Sequence, residues 1–220
     1  MTTTPGPGHH YARARGRLVA LLDDLPAADW ERPVPACPGW RVRDVIAHLS
    51  GTIEDALAGR LTGPPGPDQT AAQVARHRDR EPAALLRSWD EAAAPFEDVI
   101  TQLGIWPAAL DAVSHEHDIR GALGRPGARD DESVVMAAHL LVEHLDTPCA
   151  LRVDLGDEVV ASPPADGPEL TLRTSAFELM RFRLGRRTRD QARALAWSAD
   201  PDPVLDHLFV FGPAAAPLVE

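Results

Sequence analysis

Asp111 and His115 stand four residues apart in the run Asp111-Ala112-Val113-Ser114-His115-Glu116-His117-Asp118-Ile119-Arg120. On a helix that spacing brings a carboxylate and an imidazole onto one face, one turn apart. Such a pair is a two-point grip for a divalent ion, and it is equally the pattern of a solvated ion pair. His117 points about 200° round the helix from His115, so the two imidazoles cannot serve one ion. Glu116 and Asp118 crowd the same stretch and leave the choice of carboxylate open.

A third imidazole, His48, lies in Cys37-Pro38-Gly39-Trp40-Arg41-Val42-Arg43-Asp44-Val45-Ile46-Ala47-His48-Leu49-Ser50. Pro38-Gly39 is a turn signal. Val42, Val45, Ile46 and Leu49 then fall at helical spacing and mark one apolar face. His48 sits near the edge of that face, directed toward a core or its rim. His48, Asp111 and His115 would together make a His₂–carboxylate set. Three protein ligands leave coordination positions open, as catalytic metal sites do. Zinc is the favoured ion for these donors, with nickel, manganese and iron open by ligand type.

The remaining reactive side chains read as structural. His139 and His144 are five apart and share no face. Cys37 precedes a turn and Cys149 has no histidine nearby, so both read as inert thiols. Trp40 reads as packing against the start of its helix. The sequence carries no phosphate loop, dinucleotide fingerprint or nucleophile elbow.

The elements that must position these residues follow from the punctuation of the chain. Residues 1–8, rich in Thr, Pro and Gly, are expected to be disordered. Apolar periodicity predicts helices over about 10–25, 41–60, 68–103 and 107–123. The third is interrupted near Pro82 and kinked at Pro95, and Gly124 stops the fourth. Four such helices make a four-helix bundle. A further helix over 132–145 closes a first domain of residues 9–145. The period then changes to two over 150–155, 159–161 and 170–174. Helices over 176–184 and 190–197 and a last strand over 207–211 complete a small α+β domain, residues 146–220.

Composition narrows the function classes. The chain has 220 residues, 44% of them apolar, enough for a real core. Its formal charge of −11 opposes the positive footprint that nucleic acids and anionic membranes require. Two cysteines make no disulfide framework. No run of 18 apolar residues offers a membrane span, and the first residues do not read as a secretory signal. A cytoplasmic protein acting on small molecules is the expectation.

The Cys37–Leu49 run resembles the opening signature of the mycothiol-dependent maleylpyruvate isomerase family. His115, Asp118 and the following Ile119-Arg120-Gly121-Ala122-Leu123-Gly124 resemble its second signature. The stretch from Leu172-Arg173-Thr174 through Gly185-Arg186-Arg187 to Phe211-Gly212-Pro213 is similar to its C-terminal domain. The resemblance implies a DinB-like four-helix bundle followed by a small α+β domain. It also implies a divalent metal held by His48, His115 and, at the position where the family has Glu, Asp111. Asp is one methylene shorter, which puts the strength of binding in question. Mycothiol or a similar thiol would serve as cofactor, its sulfur made a thiolate by the metal, for isomerisation of an unsaturated acid or for S-transfer to a small electrophile. Arg186 is the closest match to an arginine that would clamp a substrate carboxylate, with Arg181, Arg183 and Arg187 as neighbouring candidates. The family leaves a monomer or a homodimer open. A catalytically silent metal- or ligand-binding bundle is the alternative expectation, and a metal-dependent hydrolase with Glu116 as base is a third.

Overall fold

The structure, a computed structural model, describes residues 5–220. The chain divides into two compact units, 1–125 and 126–220.

The first unit is built on four helices: α1 (Pro7–Leu22), α3 (Val42–Leu57), α5 (Pro82–Leu103) and α6 (Trp106–Leu123). Both α1 and α3 pack against both α5 and α6, which closes a four-helix bundle. Two shorter helices, α2 (Ala27–Trp30) and α4 (Pro67–Arg76), lie against α3. The bundle core holds Tyr11, Leu18, Ile46, Leu49, Ile53, Trp89, Phe96, Ile100, Val113 and Ile119. Trp89 Nε1 donates to the Tyr11 hydroxyl at 3.0 Å, which satisfies the indole where water is excluded.

Pro7 and Gly8, expected in a disordered leader, instead open α1; residues 1–4 of that leader lie outside the described residues. Gly8 permits a close approach to α5, since a Cβ there would stand 2.2 Å from the Glu97 carbonyl oxygen. Helix α5 continues through Pro95 without a break. Its caps are Glu81, which accepts from the Ala84 N–H at 2.8 Å, and Gly104 in the left-handed conformation.

The Cys37–Trp40 segment is a β-turn. The Trp40 N–H donates to the Cys37 carbonyl at 3.0 Å, and Gly39 has φ +86°. Proline followed by a glycine of positive φ is the type II pattern. Helix α3 starts immediately after it. The Asp44 carboxylate accepts from the Arg41 N–H at 2.9 Å, an acidic group at the positive end of the helix.

In the second unit α7 (Glu132–Glu143) precedes β1 (Cys149–Asp154), β2 (Val159–Ala161) and β3 (Gly167–Arg173). Then come α8 (Ala176–Arg183), α9 (Arg189–Arg193), β4 (Ala196–Trp197) and α10 (Asp202–Leu205). The sheet order is β2-β1-β3-β4, with β1 and β3 parallel and both edge strands antiparallel. Leu151, Val153, Val160, Leu170 and Leu172 form a core with Leu179 and Phe182 of α8. Ala138 and Val142 of α7 join that core, and α7 packs on α8 and β2. The whole chain is thus α+β.

Two elements differ from the periodicity reading. Residues 190–197 are a short helix followed by a strand, because Ala196 and Trp197 pair with β3. Residues 207–211 form no strand. The Arg183 guanidinium donates to the carbonyls of His207 and Leu208 that a ladder would use. Leu208 is buried, while Phe211 is 74% exposed.

Candidate metal centre

Helix α3 carries His48 and α6 carries Asp111 and His115, and the two helices pack together in the bundle. The three side chains meet. His48 Nε2 lies 3.2 Å from Asp111 Oδ2, and His115 Nε2 lies 3.4 Å from Asp111 Oδ1. One ligand atom from each falls within 4.8 Å of the other two. Both imidazoles are buried, whereas the Asp111 side chain is 36% exposed, so the cluster reaches solvent on the Asp111 side.

The outer nitrogens of both rings are also held. His48 Nδ1 lies 2.9 Å from Gln73 Oε1, and His115 Nδ1 lies 2.9 Å from Asp118 Oδ2. An amide oxygen and a carboxylate both accept, so each ring places a proton on Nδ1 and turns Nε2 inward. The inward atoms are then two imidazole nitrogens and a carboxylate, all electron-pair donors at close range. Such a group requires positive charge at its centre. A proton on a ring nitrogen supplies such charge as a cation would, and two pKa shifts follow from the same contacts. Against the desolvation that raises it, the imidazoles of His115 and His48 hold the Asp111 carboxyl well below the usual carboxylate range. Against the burial that lowers it, Asp111, Asp118 and Cys37 push His115 well above the ordinary histidine value.

The residues fit a divalent ion. Two imidazole nitrogens and a carboxylate are zinc ligands by type, and one such atom from each residue lies within 4.8 Å of the other two. The second-layer contacts from Gln73 and Asp118 are those that metal-bound histidines ordinarily make. Trp40 walls the cluster, its ring stacked at 6.0 Å and 27° on His115 and tilted at 5.3 Å against His48.

Cys37, expected to be a buried inert thiol, is half-buried beside this cluster, 3.3 Å from Asp118 Oδ2 and 3.8 Å from His115 Nδ1. It meets the same ring nitrogen as Asp118, on the side away from Nε2. That arrangement is not a nucleophile–base–acid relay, which needs the thiol and the carboxylate on opposite nitrogens. Glu116 faces elsewhere: it is fully buried and paired with Arg17 at 2.7 Å and Arg120 at 2.9 Å, which removes it as a base for water. His117 is buried and stands outside the cluster. His139 and His144 bond to Glu158 and to the Leu140 carbonyl.

The four candidate arginines, Arg181, Arg183, Arg186 and Arg187, are unequal. Arg181 pairs with Glu220, Arg187 with Glu178 and Glu220, and Arg183 donates to main-chain carbonyls, all three buried. They are interior ties rather than a solvated helix end. Arg186 is partly exposed, with one N–H donated to the Leu184 carbonyl at 2.6 Å. Spacing paired Asp111 with His115, the resemblance joined them to His48, and the three-residue spacing from His115 could have flagged Asp118. Gln73 had no local signal, and Cys37 was marked by its motif but not as a neighbour of His115.

No helix among the described residues is long and apolar enough to cross a membrane. The family profile described as the mycothiol maleylpyruvate isomerase N-terminal domain matches residues 11–145. No curated protein matches the chain. Two solved structures are similar over 88% of this chain and 92% of theirs, each at 15% identity. One is mycothiol-dependent maleylpyruvate isomerase, with a TM-score of 0.54, and the other a His→Ala mutant of it, with a TM-score of 0.59. At that identity the likeness is one of fold. With the profile covering more than half of its length, the chain belongs to the mycothiol maleylpyruvate isomerase N-terminal domain family.

Proposed function

We propose that this protein is a metal-dependent enzyme that uses a low-molecular-weight thiol of the mycothiol type to isomerise, or to transfer sulfur to, a small electrophilic substrate such as an unsaturated acid. The observation that carries the reading is the convergence of His48 Nε2, Asp111 and His115 Nε2, with both outer nitrogens anchored. When bound there, a divalent ion, zinc by donor preference, lowers the pKa of a thiol and gives a thiolate near neutral pH.

The chain's own residues do the rest. His48, Asp111 and His115 hold the ion and leave it positions to spare. Gln73 and Asp118 keep the two rings from turning. Trp40 covers the imidazoles and excludes water from that side, which strengthens electrostatic interactions within. The exposed Asp111 edge is the side from which a thiol can arrive. Arg186 is the candidate clamp for a substrate carboxylate, being only partly buried where Arg181, Arg183 and Arg187 are fully so.

The test is metal content of the purified protein beside a His48→Ala variant. About one divalent ion per chain, lost in the variant, supports the reading and leads to a screen of thiols against unsaturated acids and epoxides. Protein that stays metal-free after incubation with zinc sinks it.

A further inference from the structure

Gln73 lies on α4, outside the four bundle helices, yet its side chain is wholly buried against α3. Both ends of its amide are committed. Nε2 donates to Asp55 Oδ2 at 3.0 Å, and a carboxylate only accepts, so Oε1 is turned toward His48. Thr52 Oγ1 donates to the same Oε1 at 3.4 Å. Oε1 then takes the His48 Nδ1 proton at 2.9 Å. Asp55 is fixed in turn by Arg60 and Arg76, at 2.7 and 2.8 Å.

A separate observation marks the same contact. A Cβ at Gly51 would stand 2.6 Å from Gln73 Cβ and 3.2 Å from its Cα. Glycine at that position is what lets α4 lower Gln73 onto α3, one helical turn from His48.

We infer that Gln73, oriented by Asp55, is a positioning residue for the metal centre: it fixes His48 as the Nδ1–H tautomer and aims Nε2 at Asp111 and His115. The inference rests on the metal-site reading above. An imidazole without this partner is free to turn or to carry its proton on Nε2, where it blocks coordination. Loss of such a partner typically weakens metal binding about 10–100-fold.

Zinc affinity, by competition with a chromophoric chelator, and the visible absorption of the cobalt form test it in wild type, Gln73→Met, Gln73→Glu with Asp55→Asn, and Gly51→Ala. Gln73→Met has the same length but no acceptor; it binds zinc about 10–100-fold more weakly, with shifted cobalt bands. Gln73→Glu, made together with Asp55→Asn so that an amide donor faces the new carboxylate, keeps an acceptor oxygen for His48 and recovers most of the affinity. Gly51→Ala alters no donor and still weakens binding. A folded Gln73→Met protein within about twofold of wild type, with unchanged bands, overturns the positioning role. A wild type that binds neither ion overturns the metal-site reading and this role with it. Should Gln73→Met not fold, nitrogen-15 NMR of the zinc-loaded wild type decides: coordination through His48 Nε2 agrees, and coordination through Nδ1 overturns.

Discussion

Asp118 Oδ2 lies 2.9 Å from His115 Nδ1, three residues back on the same helix, and Asp118 is fully buried. The i, i+3 spacing lets one carboxylate hold the ring from behind while Nε2 faces Asp111. Asp118→Asn keeps an acceptor but loses the charge that raises the basicity of the ligand. It is expected to weaken zinc binding about 10–100-fold. Chelator competition reads this, with circular dichroism as the control for folding. Undiminished affinity would show that His115 needs no carboxylate behind it.

Cys37 shares Asp118 but stands on the Nδ1 side of His115. Cys37→Ser therefore removes no inward donor. The variant is expected to bind zinc within about threefold of wild type, well short of the 10–100-fold effect expected for Asp118→Asn. A larger loss would place the thiol among the ligands.

Asp111 is the proposed donor at the position where the resemblance implies Glu. It bridges both histidines through separate oxygens, at 3.2 and 3.4 Å. Asp111→Ala is expected to lose more affinity than the roughly 10–100-fold of a second-layer change, because it removes one of the three proposed ligands outright. Asp111→Glu is expected to retain metal, since it keeps a carboxylate on the partly exposed side of the cluster. Metal content after dialysis separates the two. Loss in Asp111→Glu would mean the pocket is cut for the shorter side chain.

The three candidate donors were legible from the apolar face that carries His48, from the four-residue spacing of Asp111 and His115, and from the resemblance that joins them; α6 itself is buried all round from Ala112 to Ile119 and declares no single face. The second layer was not. Gln73 and His48 are 25 residues apart, and Cys37 and His115 are 78 apart. Their meeting depends on how α4 and the Cys37–Trp40 turn fold back, which local patterns do not encode. The supposed strand at 207–211 shows the converse. Its apolar run is real, but the carbonyls of His207 and Leu208 accept from a buried arginine 24 and 25 residues upstream rather than from a neighbouring strand.

The Trp89–Tyr11 contact ties α5 to α1 at the centre of the bundle. Tyr11→Phe preserves the ring but strands the indole N–H, a cost of about 1–3 kcal/mol. Trp89→Ala opens a cavity in a fully buried place and is expected to cost about 3–5 kcal/mol. Urea unfolding measures both. Equal costs would show that the hydrogen bond matters as much as the packing.

Asp55 supplies a pH dependence away from the metal ligands. Burial raises its pKa, but Gln73, Arg60 and Arg76 outweigh that and hold the carboxyl below its ordinary range. Glu54, next to it on α3, shares Arg76 at 3.0 Å. A carboxyl with a depressed folded-state pKa stabilises the fold above its unfolded value, about 3.9. That stabilisation is lost as pH falls through the lower, folded value. The metal-free protein is therefore expected to lose stability on acidification below about pH 4 more steeply than Asp55→Asn does. Near neutral pH the wild type is expected to be the more stable of the two, because Arg60 and Arg76 then face a charged partner. Urea midpoints from pH 2 to 7 for both proteins decide it, and parallel curves would show that the arginines contribute nothing through Asp55.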